Sequence, residues 1–154
     1  MALTEFDKAT WDRLLQQLPI GKEGEAIVGR DLTDLGYMVD RTEGKHNYDI
    51  EITSKEARII RVEVKTDLIG HRTGNVGLEF EQNGKPSGIM TTESDMWVWF
   101  VKGLNKIYYF DTETVRSFIT KELYHDVKEI VNSRFYLLRI EDILDFTKLI
   151  RDVK

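Results

Sequence analysis

From Arg58 to Thr66 the chain reads Arg-Ile-Ile-Arg-Val-Glu-Val-Lys-Thr, a pattern that fits a buried strand with one functional face. Side chains alternate between the two faces of a strand. Val62 and Val64 therefore turn into a core, and Glu63 and Lys65 emerge side by side on the opposite face. Just upstream, Asn47-Tyr-Asp-Ile-Glu-Ile-Thr53 reads as another strand and brings Asp49 to the same neighbourhood. Two carboxylates and an ammonium at a sheet edge suit a hard divalent cation beside a phosphate.

Spacing alone is permissive. Asp31 with Glu43-Gly44-Lys45, and Asp111 with Asp126-Val127-Lys128, satisfy the same pattern of acids and lysine. The former falls in a glycine-containing turn and the latter in a helical pattern, where residues two apart face different sides. Only the Asp49 set falls on consecutive strands with valine and isoleucine alternating behind the polar groups. The plain alternative is an exposed face carrying a Glu63–Lys65 ion pair, which contributes little to stability.

Asp49 followed by Glu63-Val64-Lys65 resembles the signature of the PD-(D/E)XK nuclease superfamily, over a match running from Gly21 to Val101. Tyr48 stands where the motif's name has proline, its loosest position. The segments Gly74-Asn-Val-Gly-Leu-Glu-Phe-Glu and Gly84-Lys-Pro-Ser-Gly-Ile-Met-Thr-Thr resemble small phage-encoded nuclease-like proteins. The resemblance implies an α/β, restriction-endonuclease-like core with a mixed sheet flanked by helices. It implies Mg2+, replaceable by Mn2+, held by Asp49, Glu63 and the backbone carbonyl of Val64, with Glu25 as an additional acid and Lys65 as a catalytic group. The implied activity is a DNA endonuclease of phage type, selective for branched or four-way DNA as in Holliday junction resolution. A non-specific or single-strand nuclease, or an inactive nucleic-acid or protein-binding module on the same fold, are the alternatives.

The chain's 154 residues, 41% of them hydrophobic, are enough for one domain with a real core. The expected layout is a single nuclease-like domain: an N-terminal helix over 1–20, a catalytic core over 21–101 and a completion of the fold over 102–154. Cysteine is absent, which excludes disulfides and thiolate metal sites. No apolar run is long enough to cross a bilayer or resemble a secretory leader, so a cytoplasmic protein is expected. A net charge of -5 argues against indiscriminate coating of duplex DNA, whose affinity comes from lysine and arginine at phosphates. It leaves room for a protein partner that supplies DNA affinity.

Around this centre, Thr4 to Leu18 reads as an amphipathic helix ended by Pro19, either packed on its own domain or serving as the arm of a homodimer. Lys22 to Leu35 reads as a second helix closed by Gly36. Glu25 shares its face with Val28, Leu32 and Leu35, which favours a paired or metal-bound carboxylate; a first-turn acid that reaches water and favours the helix dipole is the other reading. Tyr37 to Thr42 is a strand, and His46 sits in the following turn, as a solvated residue or a phosphate contact. His71 and Arg72, in a loop from Asp67 to Gly74, form with Lys65 a cationic cluster for phosphate or lie in an ordinary solvated loop.

Val76 to Gln82 reads as a strand closing the meander, with Glu79 as its polar face or an additional carboxylate, and Asn83-Gly84 as the turn. Pro86 to Ser94 reads as a short helix whose Ser87, Thr91 and Thr92 either bind backbone phosphate or serve capping and solubility. Met96 to Val101 reads as a strand covered on both faces after a crossover helix, with Trp97 and Trp99 in the core. Lys106 to Phe110 is a strand, followed by helices at Thr112 to Lys121 and Glu122 to Asn132, a strand from Arg134 to Ile140 and a final helix from Glu141 to Asp152.

Overall fold

A computed structural model describes residues 19–42 and 47–154. The N-terminal helix expected over Thr4 to Leu18, and His46 with its turn, lie outside the described residues. Helix α1 spans Pro19–Asp34. It stops where expected: Gly36 has φ +100°, its N–H donates to Thr33 O at 2.9 Å and the Tyr37 N–H donates to Leu32 O at 3.1 Å. That pair of bonds is a Schellman cap, and its left-handed residue favours glycine.

Strands β1 (Met38–Arg41), β2 (Ile50–Thr53) and β3 (Ile59–Asp67) form an antiparallel meander. A single turn, α2 (Gly70–Thr73), replaces the expected loop, because the Asp67 carboxylate accepts the N–H groups of Ile69 and Gly70. Strand β4 (Asn75–Gln82) then leaves this sheet instead of closing the meander. It turns through Asn83-Gly84, both at positive φ, into β5 (Lys85–Pro86). A 3-10 turn, Gly88–Met90, stands in place of the helix expected over Pro86 to Ser94.

The chain returns as β6 (Met96–Val101), parallel to β3, so the crossover is made of β-structure and turns, with no long helix. Strand β7 (Lys106–Asp111) follows, then α3 (Thr112–Thr120), β8 (Tyr124–Ile130) and β9 (Ser133–Arg139). The short helix α4 (Ile140–Ile143), a 3-10 turn at Leu144–Phe146 and β10 (Leu149–Asp152) complete the chain.

The architecture is mixed α/β: a six-stranded mixed sheet in the order β1-β2-β3-β6-β7-β10, and a four-stranded antiparallel sheet in the order β5-β4-β9-β8. Strand β6 is buried on both faces, as its unbroken apolar sequence requires. Val98 and Phe100 join Val62, Val64, Ile50 and Ile52 beneath Val28 and Leu32 of α1. Trp97 and Trp99 face the opposite core, with Val76, Leu78 and Leu138 of the second sheet and Phe118 of α3. Both tryptophans are core residues, at 0% and 1% exposure. Trp99, Phe110 and Phe118 meet edge to face at 5.5 and 5.7 Å.

Of the two C-terminal helices expected from sequence, Glu122 to Asn132 holds a strand, and Glu141 to Asp152 is helical only at its start and ends in a strand, each for an identifiable reason. In β8 the register slips between Tyr124 and Asp126, so Tyr124 and Val127, three apart, pair with Leu138 and Tyr136 on one face. A bulge thus reproduces helical spacing on a strand. Just before β10, Lys148 N–H donates to Tyr109 O at 2.7 Å and the strand pairs with the edge of β7, overriding the helical pattern at the end of Glu141 to Asp152. Among the described residues no helix is long and apolar enough to cross a membrane.

Candidate active site

The site begins where β2 runs out. The β2–β3 register ends with Ile50 opposite Val62, and past that rung the edge of β3 has no strand beside it among the described residues. Asp49 supplies the missing partner: its N–H donates to Val62 O at 2.9 Å, and its Oδ2 accepts the Val64 N–H at 2.8 Å. Residues two apart on a strand present their backbone groups to the same edge. The Val64 carbonyl therefore faces the bare edge beside Asp49.

On the face opposite Val62 and Val64, Lys65 Nζ lies 3.2 Å from Glu63 Oε2 and 5.4 Å from the centroid of the Trp97 ring. The indole N–H of Trp97 is the one buried side-chain polar group without a partner among the described residues, a cost of about 1–3 kcal/mol. Glu63 is largely enclosed, and burial raises its carboxyl pKa to about 7, with Asp49 adding to the rise and Lys65 opposing it. Burial alone would lower Lys65, but Glu63, Asp49 and Glu79 together raise it above the ordinary lysine value.

Glu25 joins this group from α1. Gly24 lets the helix approach closely, since a Cβ there would stand 1.9 Å from Thr66 Oγ1 of β3. The Glu25 carboxyl is raised first by burial and then by the charge of Asp49, while Arg41, 3.4 Å away, opposes the rise. Because α1 already begins at Pro19, Glu25 lies in its second turn, which overturns the reading of a first-turn acid.

Glu79 lies across the cleft on β4. Its Oε2 accepts the Ser87 hydroxyl at 3.1 Å, and Gly88, at φ +56°, passes so close that a Cβ would sit 2.2 Å from the Glu79 carbonyl oxygen. Asn47, Thr91 and Thr92 complete the walls of a cleft of about 210 Å³ that also holds Asp49, Glu63 and Lys65. Thr92 is buried; its hydroxyl donates to Asn47 O at 3.3 Å and lies 2.9 Å from Ser94 Oγ, and Ser94 bonds Thr112 at 3.0 Å. Arg116 of α3 donates to Thr92 O at 3.0 Å. This chain holds the segment before Asp49 in place.

No protein-family model and no curated protein matches the sequence. The fold is similar to that of a bacterial homing endonuclease. That solved structure, I-Ssp6803I, superposes with a TM-score of 0.55 at 19% identity, over 66% of this chain and 73% of its own. At that identity the likeness concerns the fold.

Asp49, Glu63 and Lys65, singled out from sequence, line one cleft, and Val64 and Glu25 adjoin it. His71 and Arg72 do not line it; His71 packs against Gly103, where a Cβ would meet its imidazole at 2.1 Å. Ser87 is committed to Glu79, Thr91 is at the rim, and there is no helix here whose amides could meet phosphate. Tyr48, in the motif's proline position, is buried and donates its hydroxyl to Glu51 Oε2 at 3.0 Å.

The competing spacing at Asp111 is a strand pattern after all, but the Asp111 carboxylate pairs with Lys148 at 3.1 Å and Asp126 belongs to the other sheet. Asp31, the acid of the other competing set, is buried and accepts the Tyr109 hydroxyl at 2.7 Å and Arg151 Nε at 3.1 Å. The tie from Thr92 to Asn47 was not foreseen; the only local signal is a run of small hydroxyl residues between Gly88 and Ser94.

Proposed function

We propose that this chain is a Mg2+-dependent endodeoxyribonuclease of the PD-(D/E)XK type, phage-like and selective for branched or four-way DNA. The observation that carries the reading is the meeting of Asp49, Glu63 and Lys65 in one cleft, with the Asp49 carboxylate anchored on the Val64 amide. The similarity in fold to a protein described as a homing endonuclease supports it.

Among the described residues no three His, Cys, Asp or Glu side chains enclose a cation unaided. Mg2+ does not require that: it keeps several waters and takes one or two carboxylates from the protein. Asp49 and Glu63 would hold it with the Val64 carbonyl, and Glu25 stands near enough to Asp49 to feel its charge. Carboxyls whose pKa values are raised because they are buried together are a donor set short of positive charge, which is what a hard cation supplies. When bound, the metal supplies a water of lowered pKa and neutralises phosphate charge.

Lys65, held protonated, donates toward the attacking water or the oxygen on which negative charge develops. Trp97 beneath its ammonium limits where that donor can point. Asn47 and Thr92 hold the approach to Asp49, and Glu79 balances the lysine from the opposite wall. The acidic balance of the chain favours a substrate chosen by shape over one bound by bulk charge.

The test is cleavage of labelled single-strand, duplex, flap and four-way DNA with Mg2+, Mn2+ or EDTA, by the wild type, Asp49→Asn and Lys65→Ala. Metal-dependent cutting, strongest on branched DNA and lost in both variants, is expected. Cutting that survives either substitution, or a folded protein that cuts none of these DNAs with either metal, refutes the reading.

A further inference from the structure

Among the described residues strand β8 is a free edge of the four-stranded sheet, and six of its seven residues are exposed. Its hairpin fixes which backbone groups look outward. Ile130 and Ser133 pair across Val131-Asn132, both at positive φ (44° and 64°). This is a two-residue turn of the type I′ class, whose flanking residues form a hydrogen-bonded pair. Ile130, Lys128 and Asp126 therefore bond back to β9, and Val127 and Glu129 present N–H and C=O to the open edge. Asp126 Oδ1 accepts the Val127 N–H at 2.8 Å, standing in for an absent strand. Among the described residues no ion pair engages His125, Asp126, Lys128 or Glu129.

Along this edge the sequence is His125-Asp126-Val127-Lys128-Glu129, opposite in charge on either side of Val127. We propose that β8 pairs antiparallel with β8 of a second copy of the chain about a two-fold axis through Val127. Asp126 then faces the partner's Lys128, and His125 faces the partner's Glu129. Val127, 39% exposed in the single chain, covers its own copy. Directly opposed residues in an antiparallel pair must be alike in hydrogen bonding, so a shift moves the axis one residue at a time. Axes at Asp126, Lys128 or Glu129 each set a charge against itself, which opposes pairing. Val127 is the uncharged centre among these, so the charge pattern selects one register.

The joined sheet would run β5-β4-β9-β8 and back through the partner. At the usual strand spacing of about 4.8 Å, the two β4 strands stand about 24 Å apart. Glu79 and Lys128 both pair with Phe135, so they share a face, and both clefts open on the same side of the joined sheet. The pairing itself does not depend on the chemistry proposed above.

Sedimentation velocity of the full chain over a concentration series tests it. The wild type is expected to dimerise, and Lys128→Asp, which opposes two carboxylates at each of two symmetric positions, to weaken the dimer about tenfold or more. Combining Asp126→Lys with Lys128→Asp in one chain recreates the complementarity and restores it. Val127→Cys, in a chain with no other cysteine, is expected to oxidise to a covalent dimer. A wild type that sediments as a monomer throughout, a dimer indifferent to Lys128→Asp, or a charge swap that fails to restore association overturns the proposal.

Discussion

Replacing Glu63 with glutamine should change how the stability of the metal-free protein depends on pH. The folded chain holds the Glu63 proton up to about pH 7, against an ordinary carboxyl value of 4.5. Between those values the folded state binds more protons than the unfolded state, so stability falls as pH rises through the window. At about 1.4 kcal/mol per pH unit, the ionised carboxylate costs the folded state roughly 3 kcal/mol once the pH exceeds about 7. Glutamine keeps the shape and carries no charge, so Glu63→Gln avoids that loss. The attraction of Lys65, 3.2 Å away, is already contained in that figure, because it opposes the rise of the Glu63 carboxyl. Urea denaturation in EDTA should therefore find the two proteins similar near pH 5 and the variant more stable by about 3 kcal/mol at pH 8. A gap that stays constant from pH 5 to 8, or that favours the wild type at pH 8, would refute the burial argument.

Gly88→Ala would press a methyl group against the Glu79 carbonyl at a backbone angle that disfavours side chains; a loss of about 1–3 kcal/mol by thermal melting, with displacement of the Ser87–Glu79 bond, is expected. Asp31→Ala would leave the Tyr109 hydroxyl and Arg151 without their shared carboxylate, costing about 3 kcal/mol in urea denaturation, whereas Tyr109→Phe should cost about 1 kcal/mol.

The parts of the fold readable in advance are those where local pattern and tertiary role agree. Met96 to Val101 is apolar at every position because it is buried on both faces, and Gly36 ends α1 because the cap needs a left-handed residue. The Asp49, Glu63 and Lys65 set was legible because alternation on a strand fixes which side chains share a face. What escaped depends on pairing between distant segments. Nothing local in Val76 to Gln82 says that it will pair with Ser133 to Arg139 and not with β3. The bulge in β8 placed Tyr124 and Val127 at a helical interval, and Leu149 to Asp152 became a strand because β7 had an edge to offer. At the site, His71 and Arg72 were near Lys65 in sequence only; the α2 turn carries them to the Gly103 side.

Strand β6 has a consequence for how the molecule comes apart. Its alternate side chains are the floor of two separate cores, Val98 and Phe100 in one, Trp97 and Trp99 in the other. Neither core can open without stripping a face of the same strand, so the α1 side and the second sheet should unfold as one cooperative unit. The amides of β6 would then exchange with solvent only through global opening, at the full unfolding free energy, and those of edge strands β1 and β5 through local fraying well below it. The strand that lies beside Glu63 and Lys65 is thus the last to loosen, and the Glu63–Lys65 face of β3 keeps its shape while the margins of both sheets breathe.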